Sequence, residues 1–487
     1  MLTRAILVWL TFAFMLLGVA LYSQDLPFEL SALGLSFLFA LPLAIATLQG
    51  ALGSTDRYEY PSAGFFILGL WTLAMAPSFV VDNPEAHITF TYTTQAMWTG
   101  RWLYFLWGML FVIGGGTITH ERTLVMPKLV DMVAIAIPLT AALAYLIVAG
   151  RFSNYTGATV GTLELGSASS VAYSMAQSSL LAVPALLLLI ATRADTTRPR
   201  LVARLLFLLS WPLLFLSGGR SQLAYAACGC FFVARSVGLR FRPIVAAGVI
   251  ACTPVLFFLI FTYRSALHES TAPTLSLGDF MQVAVTTTGE VFSQRDARET
   301  ALTSFSDNTK LRLWYGTQFF TVVDEWLDNG AGFHGTFLEG IIRSLPSWLF
   351  PGKNELADEY HIEGQLLRTG RFPDMDLGPT PWMQWLFELG LVGVCFGAVI
   401  YGRWASYIDR RMSKTNSLYE SYFWIGMLLS TCSPEQTTDT MLIGARNIGA
   451  LLIVAYLLGV FLHKVFPSNV QRSASAAIEN MPRLTGN

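Results

Sequence analysis

The sequence predicts an all-α polytopic membrane protein of about 12 transmembrane helices, with one large helical loop on the extracytoplasmic side between the ninth and tenth. Three observations carry this. Nine apolar segments of membrane length precede Arg264, three follow Pro381, and residues 264–381 between them are too polar for lipid. Hydrophobic residues make up 53% of the chain and charged residues only 13%, about half the charge density of a soluble domain. Mean hydropathy is +0.51.

A bilayer core about 30 Å thick takes about 20 apolar residues as helix, because lipid offers no partner to an open backbone N–H or C=O. On that length the spans are residues 5–22, 30–48, 62–80, 103–119, 129–149, 170–192, 201–217, 221–235 and 243–263, then 382–402, 418–433 and 447–466. The eighth is short, and the third and eleventh contain polar residues. The first follows Arg4, but no small-x-small cleavage pattern follows it, so it reads as a retained helix.

Positive charge sets the orientation. With the N-terminus inside, the cytoplasmic segments hold eighteen Lys and Arg, against four in the short outer connections: Arg101, Arg151, Arg220 and Arg446. Both termini are then cytoplasmic and residues 264–381 face outward. The chain divides into residues 1–263 (spans one to nine), 264–381 (outer loop), 382–467 (spans ten to twelve) and a polar tail, 468–487, expected to be disordered.

Several function classes drop out. A net charge of −1 gives no electrostatic footprint for nucleic acid. The five cysteines (Cys228, Cys230, Cys252, Cys395, Cys432) all fall in or at the ends of apolar spans, without metal-ligand spacing, and read as packing residues. There is no P-loop, dinucleotide fingerprint, HExxH or internal repeat. No cofactor and no metal are expected.

The outer loop carries sixteen Asp and Glu against nine Lys and Arg, −7 in all. It contains helical stretches with apolar faces at 312–328, 335–349 and 354–369, the last running into Gly370 as C-cap. Such helices fit the membrane surface, with Trp314, Trp326 and Trp348 at headgroup level, or they simply cap the bundle.

Cations at the outer ends of spans need a reason. Arg220 sits in the Ser217–Gly218–Gly219–Arg220–Ser221 turn, Arg264 directly follows the ninth span, and Arg446 opens the twelfth. One reason is snorkelling to lipid phosphates. The other is a ligand: guanidinium groups bind phosphate bidentately, so several at one depth point to a lipid-borne pyrophosphate. Glu388 lies in the apolar stretch Trp385–Gly390, where a carboxylate marks either a functional site or a structural hydrogen bond.

Three pieces in order resemble the Wzy-type oligosaccharide repeat-unit (O-antigen) polymerases, of the O-antigen polymerase/ligase superfamily. The first is the Ser217–Ser221 turn. The second is Leu345–Pro346–Ser347–Trp348–Leu349–Phe350–Pro351–Gly352–Lys353, similar to a Pro-x-x-aromatic-Pro-x-Lys segment of the outer loop. The third is Gly378–Pro379–Thr380–Pro381 running into Trp385–Leu386–Phe387–Glu388–Leu389–Gly390–Leu391–Val392–Gly393. The related ligases carry a histidine about nine residues before the helix glutamate; here Pro379 and Thr380 stand in that place.

The resemblance implies a GT-C-like glycosyltransferase of the bacterial cytoplasmic (inner) membrane. It would move a growing glycan from undecaprenyl pyrophosphate onto a hydroxyl of a second lipid-linked repeat unit, building O-antigen, capsule or exopolysaccharide. The expected partners are these donor and acceptor lipids, the bilayer, a chain-length regulator and a flippase. The leaving group is already good, so the chemistry asks for cations and a base more than for a nucleophile. Arg220 and Arg264 are the expected pyrophosphate cations, with Arg312, Lys353 and Arg446 as supports. His361, Glu363, Asp324 and Glu325 are the base candidates, and the sequence does not choose among them. Transfer is expected to be metal-independent and inverting. The alternatives are a ligase, a flippase or transporter for the same lipid-linked sugar, and a non-catalytic scaffold.

Overall fold

The computed structural model describes residues 91–115, 129–148, 168–194, 197–216, 220–236, 255–267, 276–313, 315–330, 334–345, 352–362, 365–366, 379–415, 417–432 and 438–465, with a few isolated positions. Spans one and two fall outside these residues, as do the C-terminal tail, Cys252, Trp314, Trp348, Glu363 and Gly370. Among the described residues the regular elements are α-helices and no strand occurs. The first six are α1 (Thr94–Gly115), α2 (Leu129–Val148), α3 (Ala168–Arg193), α4 (Thr197–Leu216), α5 (Arg220–Ser236) and α6 (Val255–Leu267). The outer-loop region supplies α7 (Leu277–Ser293), α8 (Arg295–Leu313), α9 (Tyr315–Asn329), α10 (Thr336–Ser344) and α11 (Lys353–Glu359). The chain closes with α12 (Pro381–Lys414), α13 (Leu418–Cys432) and α14 (Thr438–Val465).

Three helices are long and apolar enough to cross a bilayer: Thr197–Leu216, Pro381–Met412 and Met441–Val465. Val130–Tyr145, Leu180–Arg193 and Val255–Leu267 are shorter apolar helices. The exposed surface matches lipid better than water. Helix α4 turns Leu201, Val202, Leu205, Leu208 and Leu209 outward, and α14 does the same with Val454, Leu457 and Phe461. Apolar side chains so arranged are unfavourable in water and neutral in hydrocarbon.

Packing within the bundle relies on close backbone approach, as expected where lipid cannot drive helices together. A Cβ on Gly402 would meet the Phe111 carbonyl oxygen at 2.1 Å, and one on Gly114 the Val399 carbonyl oxygen at 2.5 Å. Helices α1 and α12 therefore touch main chain to main chain. Around this contact sits an aromatic core. Trp382 meets Tyr104 at 5.2 Å and Trp71 at 5.5 Å between ring centroids, and Tyr401 meets Trp107 at 5.9 Å.

Helix α12 differs from the single span expected at 382–402. Gly390 adopts φ +60°, ψ −143°, a left-handed geometry that no β-carbon favours, and the helix breaks there. Residues 381–389 fold back on the rest: a Cβ on Gly397 would strike the Trp385 ring at 2.5 Å. The half-helix is started by Thr380, whose hydroxyl accepts the Met383 N–H at 3.4 Å, with Pro381 at its first turn.

Polar contacts tie the bundle at both ends. At one end Asp131 of α2 accepts from the Tyr419 hydroxyl and pairs with His463 Nε2, both at 3.2 Å. At the other, the Tyr263 hydroxyl donates to the Leu216 carbonyl at 2.9 Å, and Asp324 of α9 accepts from the Thr93 N–H at 3.2 Å and from its hydroxyl.

Two loop helices, α7 and α8, were not expected from the sequence. α7 starts at a capping box: Asp279 N–H donates to the Ser276 hydroxyl at 3.2 Å, and Ser276 N–H to the Asp279 carboxylate at 2.8 Å.

Candidate functional site

Four of the residues singled out from the sequence, Glu388, Lys353, Arg446 and His361, meet α10, a nine-residue helix. Its N-terminus is seated on Glu388. The backbone N–H groups of His334 (3.1 Å), Gly335 (3.3 Å) and Thr336 all donate to that carboxylate, which is 1% exposed. A helix leaves its first N–H groups without internal partners, and its N-terminus carries partial positive charge. A buried carboxylate satisfies both demands. Gly335 makes the turn possible with φ +78°, and the Tyr360 ring lies where its side chain would be, 2.5 Å from a Cβ.

The C-terminus of α10 is held by cations. Arg446 donates to the carbonyls of Arg343 (3.0 Å) and Ser344 (3.3 Å), and is itself steadied by Asn447 at 2.9 and 3.0 Å. Lys353 donates to the Arg343 carbonyl at 2.9 Å and to that of Leu345. The two ends of the Leu345–Lys353 motif thus meet. Burial first, then the neighbouring charges of Arg446 and Arg343, hold the Lys353 ammonium below its usual range.

Between the ends, the buried Glu339 pairs with Arg343 Nε and His361 Nδ1, both at 2.8 Å. Gln384 ties α10 to α14: its amide nitrogen donates to the Thr336 carbonyl at 3.2 Å, and its oxygen accepts from the Thr438 N–H and hydroxyl at 3.1 and 3.0 Å. Helix α10 therefore runs along the opening turns of α14, from Thr438 to Arg446.

A cleft of about 670 Å³ opens beside the N-terminal end of α10. Helix α9 contributes Glu325, Trp326 and Asn329, followed by Gly330 and Gly332; His334, Glu359, Tyr360, Gln365 and Phe387 complete the described lining. Three contacts brace the walls. The His334 ring stacks on Phe387 at 3.9 Å and 18°, and Gln365 donates to the His334 carbonyl at 3.0 Å. Glu325 accepts from the Asn329 amide at 2.6 Å.

The base candidates separate on this geometry. Glu325 lines the cleft. Asp324, one residue away, points into the bundle and caps α1 through Thr93. His361 faces Glu339, on the side of α11 where Lys353 and Arg446 gather. Glu363 lies outside the described residues. Glu359, His334, Asn329, Gln365, Tyr360 and Phe387 were not singled out from sequence; Glu359 sits in an ordinary-looking acidic run, Lys353–Glu359.

The cations separate as well. Lys353 and Arg446 come together, with Arg343 as an unforeseen third. Arg264 is half-buried on α6, next to Tyr263, whose hydroxyl donates to the Leu216 carbonyl at the end of α4. Arg220 opens α5 and Arg312 lies in α8, but their side chains are outside the described set. Glu388 takes a structural part in addition to whatever chemistry it shares. The four described cysteines are free, and among the described residues no group of His, Cys, Asp and Glu could hold a metal ion.

No protein-family model, curated protein or solved structure matches this chain.

Proposed function

We propose that this chain is a glycosyltransferase that joins lipid-pyrophosphate-linked repeat units on the outer side of a membrane, as a Wzy-type polymerase does. The observation that carries the reading is the cleft. Three aromatic rings (Trp326, Tyr360, Phe387), two carboxylates (Glu325, Glu359) and two amides (Asn329, Gln365) in one cleft suit a sugar. Aromatic faces cover the C–H faces of a pyranose, and carboxylates and amides bond its hydroxyls. The third family-like segment reaches the cleft through Phe387.

In this reading Glu325 is the general base. It takes the proton of the acceptor hydroxyl as that oxygen forms the new bond to the donor's anomeric carbon. The bond from that carbon to the pyrophosphate oxygen breaks at the same time, and the lipid pyrophosphate leaves with the electron pair. Arg220 and Arg264, which are not among the described lining of the cleft, are the cations this reading assigns to the departing charge. Lys353 and Arg446, whose donors are directed at the carbonyls ending α10, keep the cleft wall in place.

The test uses the purified protein in nanodiscs with lipid-linked repeat units. New glycosidic bonds are expected, with kcat down roughly a hundredfold or more in Glu325→Gln. Unchanged kcat in that variant removes the base, and no bond formation by the wild type removes the polymerase.

One observation favours a second reading. The break at Gly390 and the half-helix before it are features of transporters, where broken helices line a substrate path. A flippase would translocate the lipid-linked sugar in proteoliposomes without forming any bond.

A further inference from the structure

Helix α7 rests on the ends of three others. Its Phe280 and Ala284 form one buried cluster with Leu216, the last residue of α4, and with Tyr263 and Leu267 in the last turns of α6. Ile147, in the final turn of α2, packs against the same cluster, as do Leu277 and Val283 of α7. The Tyr263 hydroxyl on the Leu216 carbonyl joins the ends of α4 and α6, and the Phe215 and Tyr263 rings stack there at 5.5 Å. The depth of this platform follows from α4. Its 20 residues measure about 30 Å, the thickness of a hydrocarbon core, so its end at Leu216 lies at the hydrocarbon boundary. Leu208 and Leu209 are still turned outward two turns before that end.

Helix α7 has more apolar surface than the bundle uses. Beside its buried row of Phe280, Ala284 and Val291 runs a second row, Met281, Val285 and Phe292, within about 40° of one another at 3.6 residues per turn. These three are 53%, 71% and 64% exposed. Asp279, Gln282, Thr286 and Glu290 occupy the remaining side and are exposed as well. The apolar arc, interrupted by Thr288, is about 140° wide, and only the half formed by the first row is covered by protein. We propose that α7 is an interfacial helix whose Met281, Val285 and Phe292 are immersed in the phospholipid leaflet at this end of the bundle. In water the second row would hold apolar surface against solvent along the whole helix. At the hydrocarbon boundary it enters acyl chains while Asp279, Gln282, Thr286 and Glu290 stay among headgroups, and helices of this kind sink about 5–10 Å into that boundary. The lipid-matched surface of α4 ends within two turns of Leu216, so the leaflet around α4 is the apolar phase nearest to the row. A stable protein interface takes roughly 20–30 residues a side, far more than one ridge of side chains supplies.

Spin labels on the full chain in phosphatidylcholine nanodiscs test this. Labels are attached in Met281→Cys, Val285→Cys and Phe292→Cys, and in Gln282→Cys and Thr286→Cys as water-facing controls; all five side chains are exposed, so the substitutions leave the packing intact. The signal of the unsubstituted protein, treated alike, is subtracted to remove any label on the native cysteines. Power saturation then compares collisions with oxygen, which concentrates in lipid, and with a nickel chelate confined to water. The ratio of oxygen to nickel collisions should be several times higher at Met281, Val285 and Phe292 than at Gln282 and Thr286. Ratios alike at all these positions place the row in water and overturn the proposal. Low collision rates with both reagents along the row overturn it as well, because a second copy or another protein then covers it. Neither outcome bears on whether the cleft joins sugars, since α7 contributes nothing to its described lining.

Discussion

Glu388→Ala is the sharpest perturbation of this arrangement. The carboxylate is buried and accepts the N–H groups of His334, Gly335 and Thr336, so its removal strands three donors at the start of α10. A buried donor left unpaired costs about 1–3 kcal/mol. The vacated space can admit water and the three bonds share one acceptor group, so the low end applies, about 3 kcal/mol in total. Since each 1.4 kcal/mol is tenfold, local opening of α10 should become about 150 times more frequent. Hydrogen–deuterium exchange of the protein in nanodiscs reads this directly in peptides covering residues 334–345. Those peptides should exchange faster in Glu388→Ala and by a smaller factor in Glu388→Gln, which keeps one acceptor oxygen. Peptides from α13 should not change, and Leu389→Ala, at an exposed neighbour, should leave α10 as it was. If α10 exchanges at the wild-type rate in Glu388→Ala, the carboxylate does not hold it and the reasoning about the cleft wall fails with it.

Three further outcomes follow from the same contacts. Gly335→Ala puts a β-carbon into both a left-handed turn and the Tyr360 ring; the backbone alone costs about 1–2 kcal/mol, which should lower the Tm of the purified protein by about 1–2 °C, with the Tyr360 clash adding to it. Asp324→Asn weakens the cap on α1 by about 1 kcal/mol, so melting should shift while kcat per folded molecule stays unchanged; a collapse in kcat with normal melting would restore Asp324 as a base. The Ser276 hydroxyl and then the Ser276 N–H hold the exposed Asp279 carboxyl below its ordinary value of about 3.9. A depressed carboxylate contributes its stability above the unfolded value and loses it as pH falls through the folded one. Cleavage of α7 by pepsin should therefore rise at the acid end of the range between pH 5 and 2, relative to an Asp279→Asn control that lacks the transition.

What could be read from the sequence is what depends on solvent. Apolar length announced α4 and α14, because lipid acts on each segment separately. Glu388 stood out for the same reason, as a carboxylate among Trp385, Leu386, Phe387 and Leu389. Its partners did not, because they are backbone groups 52 to 54 residues away whose positions depend on how the loop returns. The break at Gly390 was hidden in a stretch of normal hydropathy; a glycine inside an apolar run reads equally as close packing, which is the case at Gly402. Lys353 and Arg446 were picked out as cations that should meet a phosphate, and they do meet, but on the carbonyls of Arg343, Ser344 and Leu345. Charge alone does not distinguish an anion from a helix C-terminus, since both present oxygen atoms with negative character. The cleft itself left no trace in spacing, because its lining comes from three chain segments and its second carboxylate, Glu359, belongs to a helix whose surface looks merely solvated.

The way α10 is held has a mechanical consequence. Its N-terminus is attached to the half-helix before Gly390 through Glu388, and its C-terminus to α14 through Arg446, with Gln384 bridging all three. Each attachment is charge-assisted or buried, so none yields cheaply. A change of angle at Gly390 cannot then occur alone. It either carries α10 and the wall containing His334 and Phe387 with it, or it breaks the bonds to Glu388. The left-handed glycine is the softest point in this ring of contacts, because it can change φ and ψ without a β-carbon to obstruct it. Cleft shape and the conformation of α12 are thus one variable.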